Sequence, residues 1–339
     1  MFGKSKTLVG LDIGSYSVRA VELTKKGDTI SLVGFGRATI EGPEFVEDTV
    51  LQVLEEGGIK AKRVVTAVSG RSVIFRTVTM MNLPDEELKQ AVAYEANKYL
   101  PFEVDDVVLD SQRLEPRDEA AEQMKVMFVA AKRSLVDEHC TLLDHLNLSP
   151  VVIDVDVFAL GNAFEMRNQL LGVADETVRA LIDVGSTKSN INIMRGNQTL
   201  FVREFYTAGN DVTEAIARRF GEDPKDIEVM KLDPGNAVET IQETMTPVLE
   251  DIADEVRLSF DYFENQYEQE VAEAYFSGGS VLFPGMDHIL GNLLGVPSRT
   301  WDPTEGLDIS APRFDASLLE GNNADMAIAV GLASRVRGL

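Results

Sequence analysis

The chain has 339 residues, 44% hydrophobic residues and a formal net charge of −24, which allows about two domains with real cores and disfavours both nucleic acid, whose binding rests on Lys and Arg against phosphate, and direct adhesion to anionic lipid. A single cysteine, Cys140, excludes an intrachain disulfide and fits a reducing compartment; in its helical pattern it reads as a small core or boundary residue. No apolar run approaches the roughly 18 residues that cross a bilayer, and the start, Met1 to Lys6, lacks the apolar core of a signal peptide.

From the N-terminus, strands are expected over 7–13 and 18–23, joined through Gly14-Ser15-Tyr16-Ser17. This stretch fits an ordinary Gly-Ser hairpin turn. It also fits a turn that holds phosphate oxygens. Gly14 permits close backbone approach and positive φ, Ser15 and Ser17 offer hydroxyls, and successive N–H groups can form a nest. Asp12, ending the first strand, could hold a hydrated Mg²⁺ beside them. A third strand (30–38), a short helix (45–54) ended by Gly57-Gly58, and a buried strand (63–68) follow. Here the Gly-rich turn does not open a helix, unlike a dinucleotide-binding βαβ unit, and no Walker lysine loop occurs.

A strand over 72–81 leads to a helix that starts at Leu83-Pro84-Asp85, carries Leu88, Ala91, Val92, Ala96 and Tyr99 on one stripe, and is stopped by Pro101. Strands over 107–113 and 124–130 flank an acidic stretch, 115–122, and a helix over 134–146 closes what reads as a small α/β insert from Arg71 to about Leu148. Such inserts carry partner specificity or are mere decoration. The strand 151–157 contains Asp154 and Asp156. Buried carboxylates need partners, so these face a ligand cleft or meet N–H groups at a helix start.

The second half repeats the plan. Strands over 180–184, 190–195 and 199–205 surround Asp183-Val184-Gly185-Ser186-Thr187-Lys188-Ser189, a near copy of the first acid-tipped turn. Two such turns facing each other would clasp a triphosphate. A helix with Asp211 as N-cap, a short helix over 227–232 carrying Glu228 and Lys231, and a longer one over 248–263 follow. The strand 274–276 runs into Ser277-Gly278-Gly279-Ser280. The two glycines leave room for a flat group on the backbone, or make a plain turn. A terminal helix over 323–336 presents Ala324, Ala327, Ala329 and Gly331.

This order of motifs is similar to the actin/Hsp70/sugar-kinase ATPase superfamily: acid-tipped hairpin, bridging acids, second acid-tipped hairpin, Ser-Gly-Gly, small-residue helix. Leu83-Pro84 before a Glu-rich helix, Tyr99-Leu100-Pro101-Phe102-Glu103, Val108-Leu109-Asp110, Asp154-Val155-Asp156 and Ala329-Val330-Gly331-Leu332-Ala333 resemble the PilM family of type IV pilus assembly. The resemblance spans essentially the whole chain. It implies an α/β, actin-like (ribonuclease H-like) ATPase fold of two duplicated domains. The first core would be 1–70 with 149–175, the insert 71–148, the second domain 176–322, and 323–339 a helix returning to the first domain.

The resemblance also implies ATP and Mg²⁺ in the cleft between the halves. Asp12 and Asp183 would sit near the metal, through water. Gly14, Ser15, Ser17, Gly185, Ser186 and Thr187 would contact phosphates. Gly278 and Gly279 would border the adenine, and Glu228 and Lys231 the nucleoside. Lys188 would offer the phosphates a charge or face solvent. Gly209-Asn210 departs from the glycine pair frequent in relatives. The insert would bind the cytoplasmic N-terminal tail of a PilN-like inner-membrane protein, in a groove between the strand near Phe75 to Val78 and the helix near Val92 to Tyr99. That would make the protein cytoplasmic, peripheral at the inner membrane through its partner alone, with self-association also open to it. Binding of ATP follows more directly than weak hydrolysis, since Asp12 and Asp183 can hold metal without positioning water.

Two other readings share the superfamily. An FtsA-like division protein needs a C-terminal linker and amphipathic helix, whereas this sequence ends at Leu339 after the packing helix. A small-molecule kinase needs a general base, for which Asp154 or Asp156 would serve, and an acceptor pocket that no motif marks.

Overall fold

The computed structural model describes residues 6–114 and 121–338. The first unit opens with three antiparallel strands, β1 (Lys6–Ile13), β2 (Ser17–Lys26) and β3 (Thr29–Thr39), then helix α1 (Val46–Glu56) and strand β4 (Arg63–Val68). The chain next leaves this sheet for β5 (Val73–Met81), α2 (Asp85–Ala96), β6 (Val107–Arg113), β7 (Gln123–Lys132) and α3 (Arg133–His145). It returns with β8 (Ser149–Val155), and α4 (Asp156–Leu171) leads to the second unit. That unit comprises β9 (Val178–Val184), β10 (Ser189–Arg195), β11 (Gln198–Phe205), α5 (Gly209–Phe220), α6 (Pro224–Leu232), α7 (Val238–Tyr267), β12 (Glu273–Ser277), α8 (Met286–Leu294) and β13 (Ser298–Thr300). Helix α9 (Ala327–Ala333), with single 3-10 turns on either side, ends the described chain.

The duplication expected from the two acid-tipped turns is present in the sheets. One is ordered β3-β2-β1-β4-β8 and the other β11-β10-β9-β12-β13, the same order element for element. In both, the first three strands are antiparallel neighbours and the later ones are parallel. Each central strand reads as a near-continuous apolar run because both of its faces are covered: Leu8, Val9 and Leu11 in β1, and Ala180, Leu181, Ile182 and Val184 in β9, are all buried.

Helices α4 and α9 lie between the sheets. Ala159, Leu160 and Phe164 of α4 and Ala329, Val330 and Leu332 of α9 share one core with Leu8 and Val21 of the first sheet and Leu181 and Tyr275 of the second. Close approach is set by glycine. A Cβ on Gly10 would lie 2.0 Å from the Ala329 carbonyl oxygen, and one on Gly331 would lie 1.8 Å from that of Ala159. The small residues of the last helix therefore serve backbone-to-backbone packing.

The insert is a three-stranded sheet, β5-β7-β6. Leu88, Val92 and Ala96 of α2 pack on Val78, Met124, Val126 and Phe128. Helix α3 bridges two cores: Leu143 joins Val9 and Leu11 under the first sheet, while Leu135 and Val136 meet Val68 and Val73.

Several boundaries differ from the sequence reading. Helix α2 ends at Ala96, before Pro101. The strand carrying Asp154 stops at Val155, and Asp156 already belongs to α4. Asp211 is not an N-cap; α5 starts at Gly209, and the Asp211 carboxylate accepts from the Ala208 N–H at 2.8 Å inside the first turn. Helix α7 runs through Pro247 and begins ten residues before the expected Val248. Most of the acidic stretch 115–122, and the N-terminal residues 1–5, lie outside the described residues. Among the described residues, no helix is long and apolar enough to cross a membrane.

The substitution Gly331→Ala must push α4 and α9 apart, because the new methyl meets a main-chain oxygen that cannot turn aside. Overpacking of this kind costs about 1–3 kcal/mol. Urea unfolding of the variant should show a lowered midpoint, and an unchanged midpoint would refute the close packing.

Candidate functional site

The two acid-tipped turns are built alike. The Gly14 N–H donates to the Ser17 carbonyl at 3.0 Å, and the Gly185 N–H donates to the Lys188 carbonyl at 3.0 Å. Neither glycine adopts positive φ, contrary to the freedom expected of Gly14. Their role is room. A Cβ on Gly14 would be 3.0 Å from the Ser17 carbonyl oxygen, and one on Gly185 would be 2.9 Å from that of Lys188. At Gly278 both reasons apply, with φ +97° and the Val184 carbonyl 2.4 Å from the added atom.

The turns meet across a cleft of about 540 Å³. Ser15 Oγ lies 2.7 Å from Ser186 Oγ and 2.9 Å from Thr187 Oγ1. Asp12, Ser17, Asp156 and Asp183 line the floor, and Gly278 and Gly279 line one wall. Glu228 and Lys231 project from α6 to the same space. They form a closed group with Thr213: Lys231 Nζ reaches Glu228 Oε1 at 2.8 Å and Thr213 Oγ1 at 2.9 Å, and the Thr213 hydroxyl bonds Glu228. The helix α5 start touches the second turn through the Gly209 and Asn210 N–H groups, which donate to the Gly185 and Ser186 carbonyls. Gly209 is needed there, since a Cβ would lie 2.1 Å from Ser280 Oγ.

The two bridging acids have different surroundings. Asp156 faces the cleft, where its carboxylate accepts from Lys188 and from Asn190 at 3.1 Å. Asp154 is not a cleft residue. Its Oδ2 accepts from Arg335 at 2.5 and 2.8 Å and so ties the end of the chain to β8. Lys188, which could have faced solvent, is largely buried between Asp156 and Glu204. Burial draws its pKa down, but the two carboxylates more than offset this and raise it.

Sequence reasoning missed a chain of buried charges. Arg19 Nη1 bonds Asp12 at 3.0 Å, its Nη2 reaches Asp325 at 2.6 Å, and Arg37 Nε reaches Asp325 at 2.7 Å. The signal was available in part: Arg19 interrupts the apolar run of β2, and Asp325 is an acid beside a small-residue helix. Buried charges of that kind require partners. Tyr16, Ser277 and Ser280 also line or support the site; Ser277 Oγ donates to Asp183 at 3.0 Å.

Asp183 is 6% exposed and, among the described residues, meets no basic side chain within bonding distance. Burial, with Asp12 and Asp156 nearby and only partly opposed by Arg19, pushes its pKa up to about 7. Burial raises Asp12 as well, despite Arg19. The Ser17 hydroxyl and Asn190 Oδ1 are buried without a hydrogen-bond partner among the described residues. Acids short of counter-charge beside orphaned polar atoms fit a hydrated cation and an oxyanion. Among the described residues no group of three His, Cys, Asp or Glu is arranged to hold a metal ion directly, so a metal would rest on two carboxylates and on water.

Duplicated sheets of this order, with paired turns over a shared cleft, define an actin-like ATPase fold. Residues 10–337 match the family described as Type IV pilus assembly protein PilM, and the chain belongs to that family. It is similar, at 29% identity and a TM-score of 0.85, to a chain of the "PilM-PilN type IV pilus biogenesis complex", covering 97% of this chain and 98% of that one. It shares the fold of the ethanolamine utilization protein EutJ from Carboxydothermus hydrogenoformans (13% identity, TM-score 0.55, 98% and 90% covered). It also shares that of MreB 5 of Spiroplasma citri, solved bound to AMPPNP (11% identity, TM-score 0.53, 98% and 96% covered).

The pH response of stability follows from Asp183. Its folded pKa lies above the unfolded value near 3.9. Between the two, the folded chain holds a proton that the unfolded chain has released, so stability falls as pH rises and the full penalty is present above about 7. Asp183→Asn should therefore be more stable than the parent at pH 8, by roughly 1–3 kcal/mol, and nearly equal to it at pH 4. Asp12 adds a residual slope of the same sign. Urea midpoints in metal-free buffer test this; an equal difference at both pH values would refute it.

Proposed function

We propose that this protein is a type IV pilus assembly component that binds Mg²⁺-ATP between its two lobes and a PilN-like tail on its insert. The observation that carries the nucleotide reading is the meeting of two equivalent turns, each ending a strand on a buried, under-compensated aspartate. Gly14, Ser15, Ser17, Gly185, Ser186 and Thr187 would bind phosphate oxygens through hydroxyls and N–H groups. Asp12 and Asp183 would hold the waters of the metal. Gly278 and Gly279 leave a flat wall for the base, and Glu228 and Lys231 offer an acceptor and donors to the nucleoside. When bound, Mg²⁺ would neutralise phosphate charge.

The chain's own residues favour binding over turnover. Asp156 is the carboxylate best placed to accept a proton from water, yet Lys188 and Asn190 hold it. Asp154 is committed to Arg335. This also weighs against the small-molecule kinase reading, which needs a free base.

The groove expected between the Phe75–Val78 strand and the Val92–Tyr99 helix is closed, because Val78 and Val92 pack together in the insert's core. An open depression of about 960 Å³ lies beside it instead, lined by Leu100, Pro101, Phe102, Asp106, Lys132 and Arg133 among others. Apolar residues flanked by both charge signs suit an extended peptide. A partner anchored in the inner membrane would hold the protein at its cytoplasmic face.

Asp183→Ala should lower affinity for Mg²⁺-ATP at least about tenfold, equivalent to about 1.4 kcal/mol, by calorimetry. Because loss of this carboxylate relieves strain in the ligand-free protein, weaker binding combined with higher stability above pH 7 would mark a functional group. Unchanged affinity would reject the site. A synthetic N-terminal tail of the cognate PilN-like protein should bind the purified chain. Lack of binding both with and without nucleotide would reject the partner assignment.

A further inference from the structure

We infer that Lys188 and Glu204 form a link through which the content of the cleft sets the root of the insert; this rests on the nucleotide reading above. Lys188 directly follows the hydroxyls of the second turn. Its ammonium is shared between Asp156 and Glu204, the latter at 2.7 Å. Glu204 lies at the end of β11 and its side chain is 8% exposed. The same carboxylate holds the chain where it leaves the first sheet for the insert. Glu204 Oε2 accepts the Gly70 N–H at 3.1 Å, and Oε1 accepts the Tyr206 hydroxyl at 2.6 Å.

Gly70, with φ +87°, sits in the turn from β4 to β5. The next residue, Arg71, places its guanidinium 4.7 Å from the centre of the Tyr206 ring. Below this polar cluster, Val202 of β11 packs with Val68, Val73 and Ala131. The root of the insert therefore rests on the second lobe, although its strands are spliced into the first.

One ammonium between two buried carboxylates is a shared counter-charge. A phosphate arriving at Ser186 and Thr187 brings a third claim on it, and in a site of low dielectric the larger charge wins. As Lys188 turns to the phosphate on the cleft side, where Asp156 also lies, Glu204 loses the one cation bonded to it among the described residues. Its remaining donors are the Gly70 N–H and the Tyr206 hydroxyl. Hydrogen bonds to an uncompensated carboxylate are strengthened, so occupancy of the cleft tightens the turn at Gly70 and, through it, β5.

Hydrogen exchange of the full chain, with and without Mg²⁺ and a non-hydrolysable ATP analogue, tests the link; calorimetry on the same samples reports binding. In the parent protein the analogue should bind and slow exchange over residues 69–82 about fivefold or more, the lower range of a typical coupling. In Glu204→Ala the analogue should still bind, with the slowing lost. Glu204→Gln keeps an acceptor for Gly70 but has no charge to release, and should lose the slowing too. Equal slowing in parent and Glu204→Gln overturns the link and leaves the nucleotide reading standing. So does binding to the parent without any change over 69–82. No binding to the parent overturns both.

Discussion

At Gly10 and Gly331, strand β1 and helices α9 and α4 stack with main chain against main chain, closer than any side chain would permit. This contact fixes the separation of the two sheets. Strand β1 ends in the first turn, and β9 packs on the same helical layer through Leu181. Moving the layer by the width of a methyl would therefore move one turn against the other. Their hydroxyls now meet within hydrogen-bond distance, so the clasp depends on residues far from it that have no functional groups at all. The last helix, with few polar groups of its own, acts as a spacer between two copies of one fold.

On that frame the cleft is an arrangement of charges rather than of shapes. Arg19 is shared by Asp12 and Asp325, Lys188 is shared by Asp156 and Glu204, and Lys231 pairs with Glu228. Asp183 alone among these acids lacks a bonded base and is the one whose pKa rises to about 7. Pairing of this kind holds side chains in register at a cost in desolvation. It places the acids of both lobes under shared control, because the Arg19 guanidinium lies near Asp183 as well as Asp12.

Much of this was legible in the amino-acid order. Asp-x-Gly-Ser recurring at 12 and 183 located both turns, and the strand lengths around them were close to those observed. The sheets' identical order follows from that repeat. What was not legible has physical causes. Asp154 and Asp156, two apart in an apolar run, should share one face of a strand. The strand ends between them, so one turns to Arg335 and the other to the cleft. Pro247 reads as a helix start, yet α7 passes through it, supported by packing of Ile241 and Met245 on its N-terminal half. Helix α8 spans nine residues and strand β13 only three, Ser298–Thr300, none of them apolar, so neither offers a window long enough for a pattern to stand out. The Arg19–Asp325 pair spans three hundred residues, a distance that no local pattern reports.

The cleft also has a balance of charge with a practical outcome. Six carboxylates border it or its shared ion pairs, Asp12, Asp156, Asp183, Glu204, Glu228 and Asp325, against four cations, Arg19, Arg37, Lys188 and Lys231. With Asp183 ionised, above about pH 7, the excess of two negative charges repels a bare polyanion. Such a pocket discriminates by what accompanies the guest. On the nucleotide reading proposed above, a triphosphate that has already surrendered charge to a divalent ion would be admitted on better terms than the free anion, and inorganic phosphate or pyrophosphate in the surrounding medium would make a weak competitor.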